Sequence, residues 1–347
     1  MTVFFANFVG TMADNRFLKT IAGHEDDDFR QHKPEGWDIG ECPLVSVWIC
    51  AYNHEKYIRE CLEGVVHQRT TFTYEVIVTD DCSTDSTQAV ILEYAERYPT
   101  LIRPILGKRN LYSAGRKRLI EQFLPLARGK YISFCEGDDY WTYDGRLQAL
   151  ADFLETHPRH SMCFHAYRGL SEIEGLQVNY PRLRHSRNVG VFELLIEQHV
   201  QFAGLMGKRD VLVQDDELIS DINSRAYNAL DLRIYTAWLN SGKIYGSNKY
   251  WSIYRVHSEG LASKLLIKGV AEENHLRYLD NLSKVYNHRF KRLVKTRCEF
   301  VDLRKRLDQW TYSRRNYQYF KAIAHLIKAF LKYPQMFIYT YYHRYIH

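Results

Sequence analysis

At 347 residues, 46% hydrophobic and 25% charged, the chain has a globular composition with room for a core of ~200–250 residues plus appendages. Its seven cysteines (Cys42, Cys50, Cys61, Cys82, Cys135, Cys163, Cys298) are odd in number and form no C-x-x-C pair, which argues against a zinc ribbon or a disulfide scaffold and for a reducing compartment. The net charge of +6 resides wholly in the six Lys and Arg between Gln309 and His347, a stretch without Asp or Glu; the basicity belongs to one segment and is not a nucleic-acid surface.

Residues 1–42 show weak periodicity and an acidic patch, Glu25 to Asp28, and read as an N-terminal arm. Phe4 to Met12 is too short for a signal peptide and lacks a basic flank. No run of about 20 apolar residues exists to span a membrane, so a cytoplasmic location is expected. From Pro43 the pattern sharpens. Leu44 to Cys50 is a buried-strand run, broken at Ala51-Tyr52-Asn53, and Ile58, Cys61, Leu62, Val65 and Val66 then recur at helical spacing. Tyr74 to Thr79 predicts a second strand ending at Asp80-Asp81. Asp85 and Gln88 resemble a capping box opening a helix with Ile91, Leu92, Ala95 and Tyr98 on its apolar face, stopped by Pro99. Ile102 to Leu106 predicts a third strand, followed by the basic loop Gly107-Lys108-Arg109-Asn110 and a helix over Arg116 to Ala127. Tyr131 to Cys135 is again a strand, with a helix around Leu147 to Leu154. Ser161 to Tyr167 reads as another strand, residues 168–200 as an irregular loop, and Gln201 to Arg209 as a partly buried, small-residue segment. A helix is expected over Tyr227 to Ser241 and an alternating strand over Lys249 to His257.

Strand and helix in alternation predict an α/β fold, a mostly parallel sheet with helices on both faces. Ligands of such sheets bind beyond the carboxyl ends of the strands. Polar clusters stand at three of those ends: Tyr52 and Asn53, Asp80 and Asp81, and Glu136-Gly137-Asp138-Asp139. The last is costly to bury unless a cation or hydrogen-bond donors neutralise it. Gly137 lets the chain turn so that several carboxylates converge, and Tyr140 and Trp141 add an aromatic wall. The segment reads either as a divalent-cation site for a phosphorylated ligand or as a solvated acidic turn. No G-x-G-x-x-G follows the first strand and no G-x-x-x-x-G-K-[ST] occurs, which weighs against a dinucleotide oxidoreductase and a phosphate-loop NTPase.

Four segments in order, VSVWICAYNHEKYIRECLEGVVHQ, EVIVTDDCSTDST, GKYISFCEGDDYWTYDGRLQALADFLETHP and LDLRIYTAWLNSGKIYGSNKYWSIYRVHSEGLAS, resemble family 2 glycosyltransferases of the GT-A (Rossmann-like) fold. The third resembles a bacterial subgroup with E-G-D-D-Y-W in place of D-x-D. The resemblance implies a catalytic domain over residues 43–265 and a C-terminal helical extension over 266–347. It implies an inverting, metal-dependent transfer from a nucleotide-sugar donor, UDP-linked, to a glycan or lipid-linked acceptor in bacterial surface polysaccharide synthesis. Asp138 is then a metal ligand, for Mn²⁺ or Mg²⁺, both of which take oxygen ligands, and His257 a second contact, to metal or diphosphate, with an ordinary strand-end histidine as its other reading. Glu136 faces the sugar or ribose and Asp139 supports it. Asp80 and Asp81 meet base and ribose, unless one merely caps the next turn; Tyr52, Asn53 and Glu55 are further nucleotide contacts. Arg109, Asn110 and Arg255 stand where cations near a diphosphate are useful, although Arg109 also suits a solvated loop and Arg255 a purely structural pairing. Asp231 is the implied base for the attacking hydroxyl; an acid at a helix N-terminus is its other reading, and Asp221 the nearest alternative base. A sugar-phosphate nucleotidyltransferase and a non-catalytic nucleotide-sugar-binding protein are the alternatives to a transferase.

In the extension, Phe320, Ile323, Ile327, Phe330 and Leu331 share one helical face, and Lys321, His325, Lys328 and Lys332 another. A basic amphipathic helix among many tyrosines predicts a peripheral anchor on the inner face of the cytoplasmic membrane, or a helix that packs on the catalytic domain or a second subunit.

Overall fold

A computed structural model describes residues 29–31, 42–111, 123–174, 183–190, 200–214, 230–260 and 319–332, with isolated positions 194, 264, 299 and 334. The chain divides into two compact units, Met1–Lys264 and Leu265–His347. The described strands all lie in the first unit: β1 (Phe29–Gln31), β2 (Val45–Ala51), β3 (Tyr74–Asp80), β4 (Ile102–Gly107), β5 (Tyr131–Glu136), β6 (Tyr140–Trp141), β7 (His160–Ser171), β8 (Arg187–Val189), β9 (Leu205–Lys208) and β10 (Lys243–Val256). They form one sheet in the order β1-β4-β3-β2-β5-β9-β7-β10-β6, with β8 paired to β10. The described α-helices of this unit are α1 (Ile58–Val66), α2 (Thr87–Arg97), α3 (Arg146–Thr156), α4 (Arg209–Val213) and α5 (Leu230–Ser241); α6 (Tyr319–Lys332) is the one described in the second unit.

The apolar run of β2 is continuous because both faces are buried. Val45, Val47, Ile49 and Ala51 pack with α1 through Ile58, Cys61, Leu62 and Val65, and share a core with Ile91 and Tyr94 of α2 and Leu147, Leu150 and Leu154 of α3. Trp48 points the other way. Its ring stacks on Phe123 at 5.1 Å and meets Phe134 and Phe202 edge-on, and Phe134 reaches Trp238 of α5 at 6.0 Å. Helices therefore cover both faces, as the strand–helix alternation predicts.

Strands β4, β3, β2 and β5 run parallel. From β2 the chain steps one way to β3 and β4, then returns to place β5 on the other side. The order reverses between β2 and β5, whose ends are in register with Cys50 opposite Glu136. That is the crevice where such sheets bind ligands.

The second half departs from a simple parallel sheet. β9 runs antiparallel between β5 and β7. Its glycine is needed there: a Cβ on Gly207 would lie 2.3 Å from the Trp238 ring. β7 and β10 pair in parallel and are longer than the 161–167 and 249–257 spans expected, because register shifts between Ser247 and Ser252 break the alternation of β10. The capping box is also rearranged. Ser86 holds the N-cap position of α2, and Asp85 accepts from the Thr87 N–H at 3.0 Å and the Thr87 hydroxyl at 2.5 Å. Gln88 turns to buried Asp80 instead, donating at 2.5 Å. Most of the helix expected over 116–127, and the start of the one expected from Tyr227, lie outside the described residues, as do the N-terminal arm (except Phe29–Gln31), Asp221 and much of the 168–200 loop.

Candidate functional site

The site is built from the two strand ends at the reversal and from the end of β10. After β5, the Gly137 N–H donates to the Cys50 carbonyl at 2.8 Å, so the turn leans on β2. The close approach explains the glycine: an added Cβ would lie 2.7 Å from Nδ1 of His54 and 3.1 Å from the Cys50 oxygen. Asp138 and Asp139 then diverge. Asp139 is buried and accepts the Arg255 N–H at 2.9 Å. Arg255 Nε donates to the Asp138 carbonyl at 3.0 Å. These two bonds tie the ends of β5 and β10 together, two residues before His257. His257 Nε2 consequently lies 3.1 Å from Oδ2 of Asp138. His54 brings a second imidazole, its Nε2 3.7 Å from the same oxygen. One donor atom from each of His54, Asp138 and His257 falls within 4.8 Å of the others.

The electrostatics separate the acids. Burial opposes ionisation of Asp138, but the hydrogen bond from His257 and the charges of His54 and His257 outweigh it and hold the carboxyl below the usual aspartate range. Glu136, half-buried at the same turn, is pushed the other way, to about 8, by burial and by the charges of Asp138 and Asp231. Gln201 donates to it at 3.4 Å. Burial, Asp138 and Glu136 also raise Asp139 well above its ordinary value. Burial lowers His54, against the pull of Asp138. Neighbouring groups of opposite protonation preference in one crevice mark a candidate functional site.

Arg255 is heavily engaged. Its guanidinium bridges Glu60 at 2.6 Å and Glu172 at 2.9 Å and lies over the Tyr57 ring at 4.7 Å. Tyr57 donates to Glu172 at 2.7 Å, and its own ring packs 4.7 Å from that of His257. Burial, then the bond to Glu172, push the Tyr57 hydroxyl up to about 12. The two ends of β2 and β3 are knitted by side chains. Asn53, at φ 55°, receives the Thr84 N–H on its oxygen at 2.9 Å, and its own N–H donates to Ser83 Oγ at 2.8 Å. Glu55 accepts the Ser86 N–H at 3.0 Å. Tyr52 is exposed. Asp80 and Asp81 are both buried. Asp80 accepts from the Ser83 N–H, the Ser83 hydroxyl and Gln88; Asp81 accepts the Leu111 N–H at 2.8 Å. Arg109 is exposed and Asn110 half-buried just beyond β4.

Asp231 occupies the first turn of α5, half-buried, close enough for its charge to act on Glu136. The helix is fixed where it is by Trp238, whose ring N–H donates to the Lys208 carbonyl of β9 at 2.9 Å and whose carbonyl accepts from Ser161 of β7 at 2.6 Å. Tyr235, one turn on, is buried with no hydrogen-bond partner for its hydroxyl. The structure thus gathers Glu136, Asp138, Asp231 and His257, and adds His54, Gln201 and Tyr235, which sequence reasoning passes over. His54 carried a signal, since it follows Asn53 at a strand end already marked as polar. Gln201 and Tyr235 carried none.

Residues 46–212 match the sequence family Glycosyl transferase family 2. An uncharacterized protein of Mycobacterium tuberculosis, Rv1520, is 35% identical over 217 residues, 62% of this chain and 60% of that protein. The poly(ribitol-phosphate) beta-glucosyltransferase of Bacillus spizizenii is 34% identical over 97 residues, 28% of this chain and 15% of that enzyme. Among solved structures, the mannosyltransferase PcManGT of Pyrobaculum calidifontis, in complex with GDP-Man and Mn²⁺, superposes with a TM-score of 0.53 at 13% identity, covering 93% of this chain and 84% of that one. The match therefore spans 60% or less of the length of these two sequence relatives, and the structural likeness is one of fold.

Proposed function

Since its residues 46–212 belong to glycosyl transferase family 2, we propose that this chain is an inverting glycosyltransferase that moves a sugar from a uridine-linked donor to a glycan or lipid-linked acceptor of a bacterial surface polysaccharide. The observation that carries the reading is the meeting of Asp138 and His257 at the reversal point of the sheet, 3.1 Å apart, with Glu136 and Asp231 beside them. The donor set is apt for a divalent cation: a carboxylate held ionised and two half-to-fully buried imidazoles. Asp138 and His257 would hold Mn²⁺ or Mg²⁺, which would supply Lewis-acid stabilisation to a departing nucleoside diphosphate.

The remaining steps belong to the chain. Asp231 takes the proton of the attacking hydroxyl, which approaches the anomeric carbon from the side opposite the leaving group. Glu136 faces the sugar and hydrogen-bonds one of its hydroxyls. The uracil imide N–H and the ribose go to Asp80 and Asp81, both buried at the end of β3. Tyr52, Asn53 and Glu55 shape the nucleotide side of the crevice, and Arg109 and Asn110 border it. Arg255 acts from behind, through its hold on Asp138 and on the strand that bears His257.

The family's polysaccharide context and the basic apolar helix α6 support work at a membrane surface. Ile323, Ile327, Phe330 and Leu331 are exposed on α6, as are Lys328 and Lys332, a pairing suited to an anionic lipid interface. Among the described residues no helix is long and apolar enough to cross a membrane.

The test is Asp231→Asn. The variant should lose transfer by roughly 10²–10⁴-fold, the share a general base supplies, while binding the donor nearly as wild type does by calorimetry. Wild-type turnover in that variant removes Asp231 as the base and the inverting reading built on it.

A further inference from the structure

We propose that His54 is a third metal ligand, completing a site of two imidazoles and one carboxylate that selects Mn²⁺ or a later first-row ion over Mg²⁺. The inference deepens the preceding reading and rests on it for the presence of a cation at Asp138 and His257.

The geometry comes first. Nε2 of His54 and Nε2 of His257 both converge on Oδ2 of Asp138, at 3.7 and 3.1 Å, and one donor atom from each of the three residues lies within 4.8 Å of the others. Metal–ligand bonds of about 2.1 Å put neighbouring ligand atoms ~3.0 Å apart at right angles and ~4.2 Å apart when opposed. His54 Nε2 reaches the ~3.0 Å spacing from Asp138 Oδ2 after a closure of about 0.7 Å from its 3.7 Å, a side-chain adjustment within a histidine rotamer.

The local backbone is built to present this ring. The His54 N–H donates to Thr87 Oγ1 at 2.8 Å, and its carbonyl accepts from the N–H groups of Tyr57 and Ile58 as the chain enters α1. The residue is thereby fixed to both α1 and α2. Gly137 leaves open the volume that the ring fills, since any Cβ there would collide with Nδ1. The side chain is 16% exposed, and its Nδ1 is buried with no hydrogen-bond partner. A half-buried imidazole whose Nδ1 makes no hydrogen bond carries a cost to the fold. A cation at Nε2 offsets that cost and gives the ring a task.

The chemistry of the set then determines the ion. Mg²⁺ demands oxygen ligands in near-ideal octahedral geometry. Imidazole suits transition ions, and the affinity of nitrogen-containing sites rises from Mn²⁺ towards Cu²⁺. Two imidazoles against one carboxylate therefore bias the position away from Mg²⁺, and the remaining coordination positions stay available to donor oxygens.

The full chain, freed of metal by chelation, is titrated with Mn²⁺ alone and again with UDP present, and free Mn²⁺ is read by its electron paramagnetic resonance signal. Mg²⁺ is then added as competitor. Wild type, His54→Ala, His54→Gln and His257→Ala are compared, with thermal melts to confirm that each variant is folded. The expected result is one Mn²⁺ per wild-type chain, and in both His54 variants a fall in Mn²⁺ affinity at least as large as the roughly 10–100-fold that losing an outer partner costs. Mg²⁺ affinity should change much less, so the Mn²⁺ preference collapses. Wild-type Mn²⁺ affinity and preference in a folded His54 variant, together with loss in His257→Ala, overturns the role of His54 and leaves the two-ligand reading standing. Failure of the wild type to bind Mn²⁺, with or without UDP, overturns both.

Discussion

Arg146 shows how much of this molecule is decided by single residues. It is fully buried, and its hydrogen-bond partners are all neutral: His165 Nε2 at 2.6 Å, Ser133 Oγ at 2.9 Å, and the carbonyls of Ala203 and Leu205, both at 3.0 Å. Its guanidinium also lies 3.8 Å from the Trp141 ring centre. Burial lowers it to about 9, so it stays charged at neutral pH. One planar fork thus joins α3, β5, β7 and the turn that carries Gln201 towards Glu136. An ammonium cannot reproduce that fork. Arg146→Lys should cost about 3 kcal/mol by urea denaturation, the sum of two charge-assisted hydrogen bonds lost, and a loss below about 0.5 kcal/mol, the range of an inert surface change, would show that the fork is dispensable. Nothing in the sequence distinguishes Arg146 among 47 basic residues, because its importance arises from acceptors 13 to 59 positions away. The acids of the site were legible for the opposite reason: Glu136 to Asp139 interrupt an apolar strand, and a local break in pattern is visible without knowledge of the fold. Which carboxylate meets which histidine was not visible, since it depends on Asp139 clasping the backbone of Arg255 116 residues later.

At the scale of elements, β2, β3, β4, β5, α1 and α3 follow from apolar runs and helical periodicity, which are local properties of the chain. The departures are non-local. β9 is four residues long and holds its place by pairing on both sides, which no periodicity announces. β10 loses its alternation at register shifts, and α2 lacks its capping box because buried Asp80 draws Gln88 away. The interior of the sheet has a pH consequence. His165 of β7 is buried and lies well below its ordinary value of 6.5, through burial first and the charge of Arg146 second. It is neutral when folded, accepts from Arg146 and donates to the Ala166 carbonyl at 2.9 Å. A depressed pKa means that the unfolded chain binds a proton before the folded one does. The stability tied to His165 is therefore complete above pH 6.5 and lost progressively below it. In thermal melts between pH 7.5 and 5, His165→Gln should start from a lower midpoint and fall less steeply than wild type. A slope equal to that of wild type would remove His165 from the acid response.

Across the whole molecule, two units divide the work. The first, Met1–Lys264, holds the sheet and the candidate site and is net acidic (−5); the second, Leu265–His347, holds α6 and is net basic (+11). Replacing Ile327 and Leu331, both exposed, by aspartate should abolish flotation with vesicles of anionic lipid while leaving the melting of the first unit unchanged; undiminished flotation would exclude this face as the anchor. On the proposed reading, the crevice between β2 and β5 is a donor site for sugar transfer. Its most direct test is a panel of UDP-Glc, UDP-Gal, UDP-GlcNAc, UDP-GalNAc and GDP-Man with Mn²⁺, scored by release of nucleoside diphosphate from wild type and from Asp138→Asn. Release from at least one uridine donor, abolished by chelation and in Asp138→Asn, is the predicted result; no release from any donor, or release that Asp138→Asn retains in full, contradicts the account.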